Sequence, residues 1–160
     1  MRSAGAEVRR GVQAALFVIA ALGAATAEGA DARRADELIG EWWTEGNEGR
    51  IKFVRAHDGS FTGTSTCCHP KPSSKDNPRD IHNPDPKLRE RWTVGIVIIW
   101  KLTYANGEYS SGYVYNPRNG KTYRLQAKLI DHNTLKIRGY LGIPLLGESQ
   151  LWKRALPKRG

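Results

Sequence analysis

Sulfur is scarce in this 160-residue chain, with two cysteines and one methionine, which excludes a miniprotein stapled by disulfides. No apolar run reaches the ~18 residues that a membrane-spanning helix needs. Lys and Arg are scattered, and no five-residue basic block of the kind that grips nucleic acid occurs. No Asn-x-Ser/Thr triplet and no internal repeat is present, and the composition excludes a coiled coil or a collagen-like rod. What is there describes an ordinary globular chain of about one domain, 39 % apolar and 26 % charged. Its 17 Gly and 8 Pro, set among 5 Trp and 6 Tyr, suit many turns between β-strands.

The first stretch reads as an address. Arg2, Arg9 and Arg10 precede Val12 to Ala27, where Gln13 and Thr26 are the polar exceptions. A basic start, a short apolar core and a small-x-small exit describe a secretory signal peptide over residues 1–27. Ala25-Thr26-Ala27 offers cleavage before Glu28, and Ala30-Asp31-Ala32 offers a second point. The expected location is therefore the periplasm or the cell exterior. The chain carries net charge +9, and removing the leader would take away Arg2, Arg9, Arg10 and Glu7 but leave the basic excess. In an exported protein that excess favours an anionic envelope surface over nucleic acid as partner.

Residues 28–37 form an N-terminal segment, and from it Asp31 to Ile39 can make one or two helical turns that run up to Gly40. Residues 38–154 read as one domain of eight strands, and 155–160 as a basic tail. Glu41–Thr44 comes first, then Arg50–Arg55 with Ile51 and Phe53 on one face. His57-Asp58-Gly59 turns into Phe61–Ser65. Thr93–Leu102 is nearly all apolar, which predicts burial on both faces or a place at the centre of the barrel. Asn106-Gly107, a strong hairpin signal, leads into Tyr109–Asn116, and Pro117–Gly120 turns into Lys121–Leu129, apolar at strict period two. Asp131-His132-Asn133 turns into Thr134–Leu141, and Glu148–Arg154 closes the set. Strands joined by short turns pair with their neighbours, and eight can close into an up-and-down barrel without exposed edges. The expected fold is an all-β, eight-stranded barrel.

Two segments interrupt this scheme. Cys67 to Arg91 is a long loop holding Pro70, Pro72, Pro78, Pro84 and Pro86, and loops of that length are functional or disordered. It reads as an excursion over one end of the barrel. Gly142-Ile143-Pro144-Leu145-Leu146-Gly147 is an apolar hexapeptide that would be either a buried cap or an exposed lip at the mouth; the cap is the safer expectation.

Three patches carry a family resemblance: Gly40-Glu41-Trp42; Asn116-Pro117-Arg118-Asn119-Gly120-Lys121-Thr122-Tyr123; and the closing run Leu135 to Gly147 with Gln150-Leu151-Trp152-Lys153-Arg154. Together, over Leu38 to Arg154, they resemble the exported bacterial family catalogued as domain of unknown function 2147, whose members are lipocalin-like. Asn116, where the family more often has Asp, and the Cys-Cys-His-Pro stretch depart from that pattern. The resemblance implies a β-barrel and an exported location and transfers no catalytic residue. In lipocalin-like barrels a first-strand Trp closes the floor under a last-strand cation, which here would pair Trp42 with Arg154 as a structural contact.

Candidate chemistry is thin. Cys67-Cys68-His69 lacks the four ligands of a closed metal site. In an oxidising compartment Cys67 and Cys68 would form a disulfide with each other or elsewhere, or stay as thiols. His57 and His132 occupy turns, and the acids of the long loop alternate with Lys and Arg. No metal, cofactor or catalytic set is expected. An eight-stranded barrel has room for one small ligand. Trp100, Tyr113 and Tyr123 would wall it, and Arg138 would meet an acidic head. The function expected is non-enzymatic binding of a small apolar or amphiphilic ligand. The competing expectation is an envelope interaction module with a filled barrel, acting through its surface and long loop.

Overall fold

The computed structural model describes residues 29–67 and 79–156. The chain divides into two compact units, Met1–Arg34 and Ala35–Gly160. In the first, residues 29–34 are helical, and the Arg33 Nε donates to the Gly29 carbonyl at 3.1 Å.

The second unit is a closed antiparallel barrel of eight strands in chain order. They are β1 (Gly40–Trp43), β2 (Arg50–Arg55), β3 (Phe61–Cys67), β4 (Val97–Ala105), β5 (Glu108–Asn116), β6 (Lys121–Asp131), β7 (Thr134–Tyr140) and β8 (Glu148–Arg154). Every strand pairs with its sequence neighbours, and β8 returns to β1 through Trp42 opposite Arg154. The turn signals act as their residues dictate. Asn106 and Gly107 both take positive φ, 53° and 81°, which gives the hairpin twist that matches its flanking strands. Asp131 Oδ1 accepts from the Asn133 backbone N–H at 2.8 Å and tightens the β6–β7 turn.

Alternation sets the interior. Ile51 and Phe53 of β2, Leu125 and Ala127 of β6, and Leu135 and Ile137 of β7 are all buried. The expectation for Thr93–Leu102 needs correction. Its first residues lie outside the strand, and within β4 Ile99 and Leu102 are buried while Val97 is 51 % exposed. Positive φ at Lys101 (55°) and Ser111 (60°) marks bulges in β4 and β5, which shift the register of β4 against β3 and of β5 against β6. Each absorbs one residue, so that Leu102 and Gly112 still face inward. A Cβ at Gly112 would lie 2.7 Å from Leu102 Cδ1 and 3.0 Å from Leu102 Cβ, so fully buried Leu102 would have to shift to admit one.

One end of the barrel is filled. Leu38, Trp42, Phe53, Phe61, Leu102 and Leu135 have no exposed surface. Phe61 meets Tyr109 edge-on at 5.7 Å, and the Tyr109 hydroxyl donates to the Ala35 carbonyl at 2.9 Å, tying the segment before β1 to the floor. Burial pushes the Tyr109 phenol well above its ordinary range.

Residues 79–96, between β3 and β4, fold back onto the barrel. Arg79 and Trp92 form a bridge, with the guanidinium 4.1 Å from the Trp92 ring centroid. Asp85 caps a short 3-10 turn, Pro86–Leu88. The segment is fastened to β5 by a buried polar cluster. Asp80 Oδ1 accepts from the Tyr115 hydroxyl, and Asp80 Oδ2 accepts from Asn83 Nδ2 at 2.7 Å and pairs with Arg91 at 2.8 Å. Gly120, at φ 68°, seats the same segment, because a Cβ there would overlap the His82 carbonyl oxygen.

Candidate functional site

The other end of the barrel is open. A cavity of about 810 Å³ enters between the β5–β6 and β7–β8 turns and runs down the lumen. Ile51, Ile98, Val114, Leu125, Ile137 and Trp152 form its apolar depth. Ile51, Val114, Leu125, Ile137 and Trp152 are inward positions above the packed floor, and Ile98 joins them at the β4 irregularity where Gly63 pairs with Ile99 but Thr64 with Val97, so the alternation that fills one end leaves the other end hollow. Polar groups are fixed along the wall. The Trp152 Nε1 donates to Gln150 Oε1 at 2.9 Å, and Asn119 Nδ2 donates to the Tyr123 hydroxyl at 2.8 Å. At the rim, Arg118 pairs with Glu48 at 2.7 Å, while Glu45 and Glu148 also border the opening.

Of the four residues expected to hold a ligand, Tyr123 lines the cavity. The other three are corrected. Trp100 and Tyr113 are register partners next to inward Ile99 and Val114, so they point away from the lumen. They stack there with centroids 5.8 Å apart, and the Arg124 guanidinium covers Tyr113 at 4.9 Å. Arg138 follows buried Ile137 and therefore also stands outside. Its Nε donates to the Pro144 carbonyl at 2.7 Å, Nη1 to Ser149 Oγ at 2.8 Å and Nη2 to the Leu145 carbonyl at 3.0 Å. It pins the β7–β8 connection and meets no luminal head group. The hexapeptide 142–147 is a lip, not a buried cap: Leu145 is 82 % and Leu146 77 % exposed.

At the closed end the Arg154 guanidinium lies 4.1 Å from the Trp42 ring centroid. Arg154 also donates to the carbonyls of Glu37 (2.6 Å), Ile39 (3.1 Å) and His132 (2.8 Å). Desolvation pulls its pKa below the usual arginine value. Trp42 Nε1 donates to the Leu38 carbonyl at 2.9 Å. Cys67 is disulfide-bonded and borders the cavity, whereas Cys68 and the loop residues 68–78 fall outside the described part. Among the described residues no three His, Cys, Asp or Glu side chains gather as a metal site.

Sequence reasoning missed the Asp80–Asn83–Tyr115–Arg91 cluster, because Asp80 and Tyr115 are 35 residues apart and no local pattern links them. It also passed over Ile137 and Trp152 as cavity wall. Period two carried that signal: Leu135, Ile137 and Gly139 share the face that excludes Arg138.

Residues 40–154 match the family model described as "Uncharacterized protein conserved in bacteria (DUF2147)". Among solved structures, the chain is similar to protein HP1028 from the human pathogen Helicobacter pylori, described as belonging to the lipocalin family. The two are 28 % identical, with a TM-score of 0.63 over 74 % of this chain and 83 % of that one. No curated protein matches the chain.

Proposed function

Because this chain belongs to the bacterial family DUF2147 and closes as a lipocalin-like barrel, we propose that it is a non-enzymatic carrier of one small apolar or amphiphilic molecule in the cell envelope. The open lumen carries this reading. Its volume of about 810 Å³ falls within the ~300–1,000 Å³ of small-molecule sites. An apolar tail would bury against Ile137, Leu125 and Trp152, and a polar head would meet Tyr123, Gln150 and the rim. With Arg138 engaged outside, the head would meet the hydrogen-bonding groups of Tyr123 and Gln150 and, at the mouth, Arg79 and Arg118. The envelope location is supported by the basic-then-apolar start of the chain, Arg2 to Ala27.

Gly139 provides the test. It lines the cavity, and a Cβ there would make ordinary contacts, 3.8 Å to Tyr123 Cβ and 4.0 Å to Val114 Cγ1. A Gly139→Phe side chain would fit the strand and occupy the lumen. Titration with an environment-sensitive apolar fluorophore should show saturable binding to the wild type and its loss in Gly139→Phe. Equal binding by both proteins would refute luminal carriage.

A further inference from the structure

We propose that the mouth of the barrel docks on a lipid bilayer, with the β7–β8 lip as its inserting tip. Leu141, Ile143, Leu145 and Leu146 all project into solvent within six residues, a density of exposed large aliphatics that marks an interaction surface. The lip is held, not loose. The three donors of Arg138 fix the Pro144 and Leu145 carbonyls and Ser149, and Gly147 closes the turn with its N–H on the Pro144 carbonyl at 3.1 Å. A guanidinium that satisfies the backbone polar groups leaves aliphatic side chains as the outward face, which is what insertion into hydrocarbon requires.

The surface behind the lip identifies the occupant. Trp100, Tyr113 and Arg124 form one outward row across β4, β5 and β6, and Tyr140, the last residue of β7, is the register partner of Arg124. Tyr113 and Arg124 stand three residues from the rim ends of their strands, roughly 10 Å back along the chain. An aliphatic tip with amphipathic aromatics and a cation about that far behind it matches the depth profile of a bilayer interface. Arg124 supplies the cation of this row, and β6 carries no acid before Asp131, which suits anionic headgroups. A second copy of the chain fits less well. A stable protein interface takes roughly 800 Å² from each partner, and a convex six-residue tip offers a small fraction of that. The inference rests on this outer surface and stands apart from the luminal reading.

The test is co-sedimentation of the protein, as recovered from cells, with vesicles of phosphatidylcholine and phosphatidylglycerol. The wild type should partition onto them. The double variant Leu145→Ser/Leu146→Ser should bind about tenfold more weakly or worse, since each side chain forfeits apolar burial. Its circular dichroism and thermal midpoint should be unchanged, because both side chains face solvent in the folded protein. Arg124→Gln should weaken binding to these vesicles severalfold but scarcely change binding to phosphatidylcholine alone. Absence of wild-type partitioning, or equal partitioning by the lip variant, would overturn the proposal. So would vesicle-free self-association that the lip variant abolishes, since the lip would then be a contact between copies.

Discussion

Arg154 and Trp42 meet twice, once as backbone partners where β8 closes onto β1 and once face to face, with the guanidinium 4.1 Å from the ring centroid. One side chain thereby joins the last strand, the first strand, the segment before it and the β6–β7 turn, through the carbonyls of Ile39, Glu37 and His132. A planar fork of donors can do this where a single ammonium cannot. The barrel's closure and its floor are thus one structural event, and the lumen above them is what remains.

Trp42→Ala should cost ~3–5 kcal/mol, as for other buried aromatics, and Arg154→Ala less. In a double-mutant cycle by chemical denaturation, the pair should show coupling, because each single change already removes the shared contact. Strict additivity would mean that the stacking contributes nothing. Arg154→Lys should recover little, since it retains charge but loses the three-carbonyl geometry.

Gly120→Ala should release residues 79–96 from the β5–β6 turn, because the added methyl overlaps the His82 carbonyl and φ at this position is 68°. Hydrogen exchange would rise at Asp80 and Asn83, whose backbone N–H groups bond to Arg91 and Asp80 carbonyls, and stay low in β6 and β7. Unchanged protection at Asp80 would show that the segment is held without Gly120.

Tyr115 should titrate at about 12 against an ordinary 10.0, raised first by burial and then by its bond to Asp80. The fold favours the neutral phenol, so its contribution is complete below pH 10 and disappears as pH climbs toward 12. Asp80→Asn should bring the phenol part of the way back, burial continuing to hold it up. Ultraviolet titration of the phenolate would detect this, and an Asp80→Asn protein titrating identically would remove Asp80 from the cause.

Most of the barrel is legible in the residues. Ile51 and Phe53, or Leu125 and Ala127, announce their inward face at period two, and Asn106-Gly107 announces its hairpin. The bulges are not legible, since Lys101 and Ser111 take positive φ for the sake of Leu102 and Gly112 packing across the sheet, and neither residue type signals it. At the site, residue chemistry and strand alternation point to different residues, and alternation decides. Arg138 is a natural partner for an acid, yet Ile137 beside it is the one that faces the lumen. The docked segment lay furthest out of reach, because Asp80 finds Tyr115 only once residues 79–96 have folded back over the barrel.

Native mass spectrometry of the protein recovered from the bacterial cells that make it tests luminal carriage most directly. One bound small molecule per chain, carrying an apolar tail, is expected in the wild type and should be absent from Gly139→Phe. A wild-type protein that is recovered consistently at its bare mass, or a bound molecule that persists undiminished in Gly139→Phe, would contradict it.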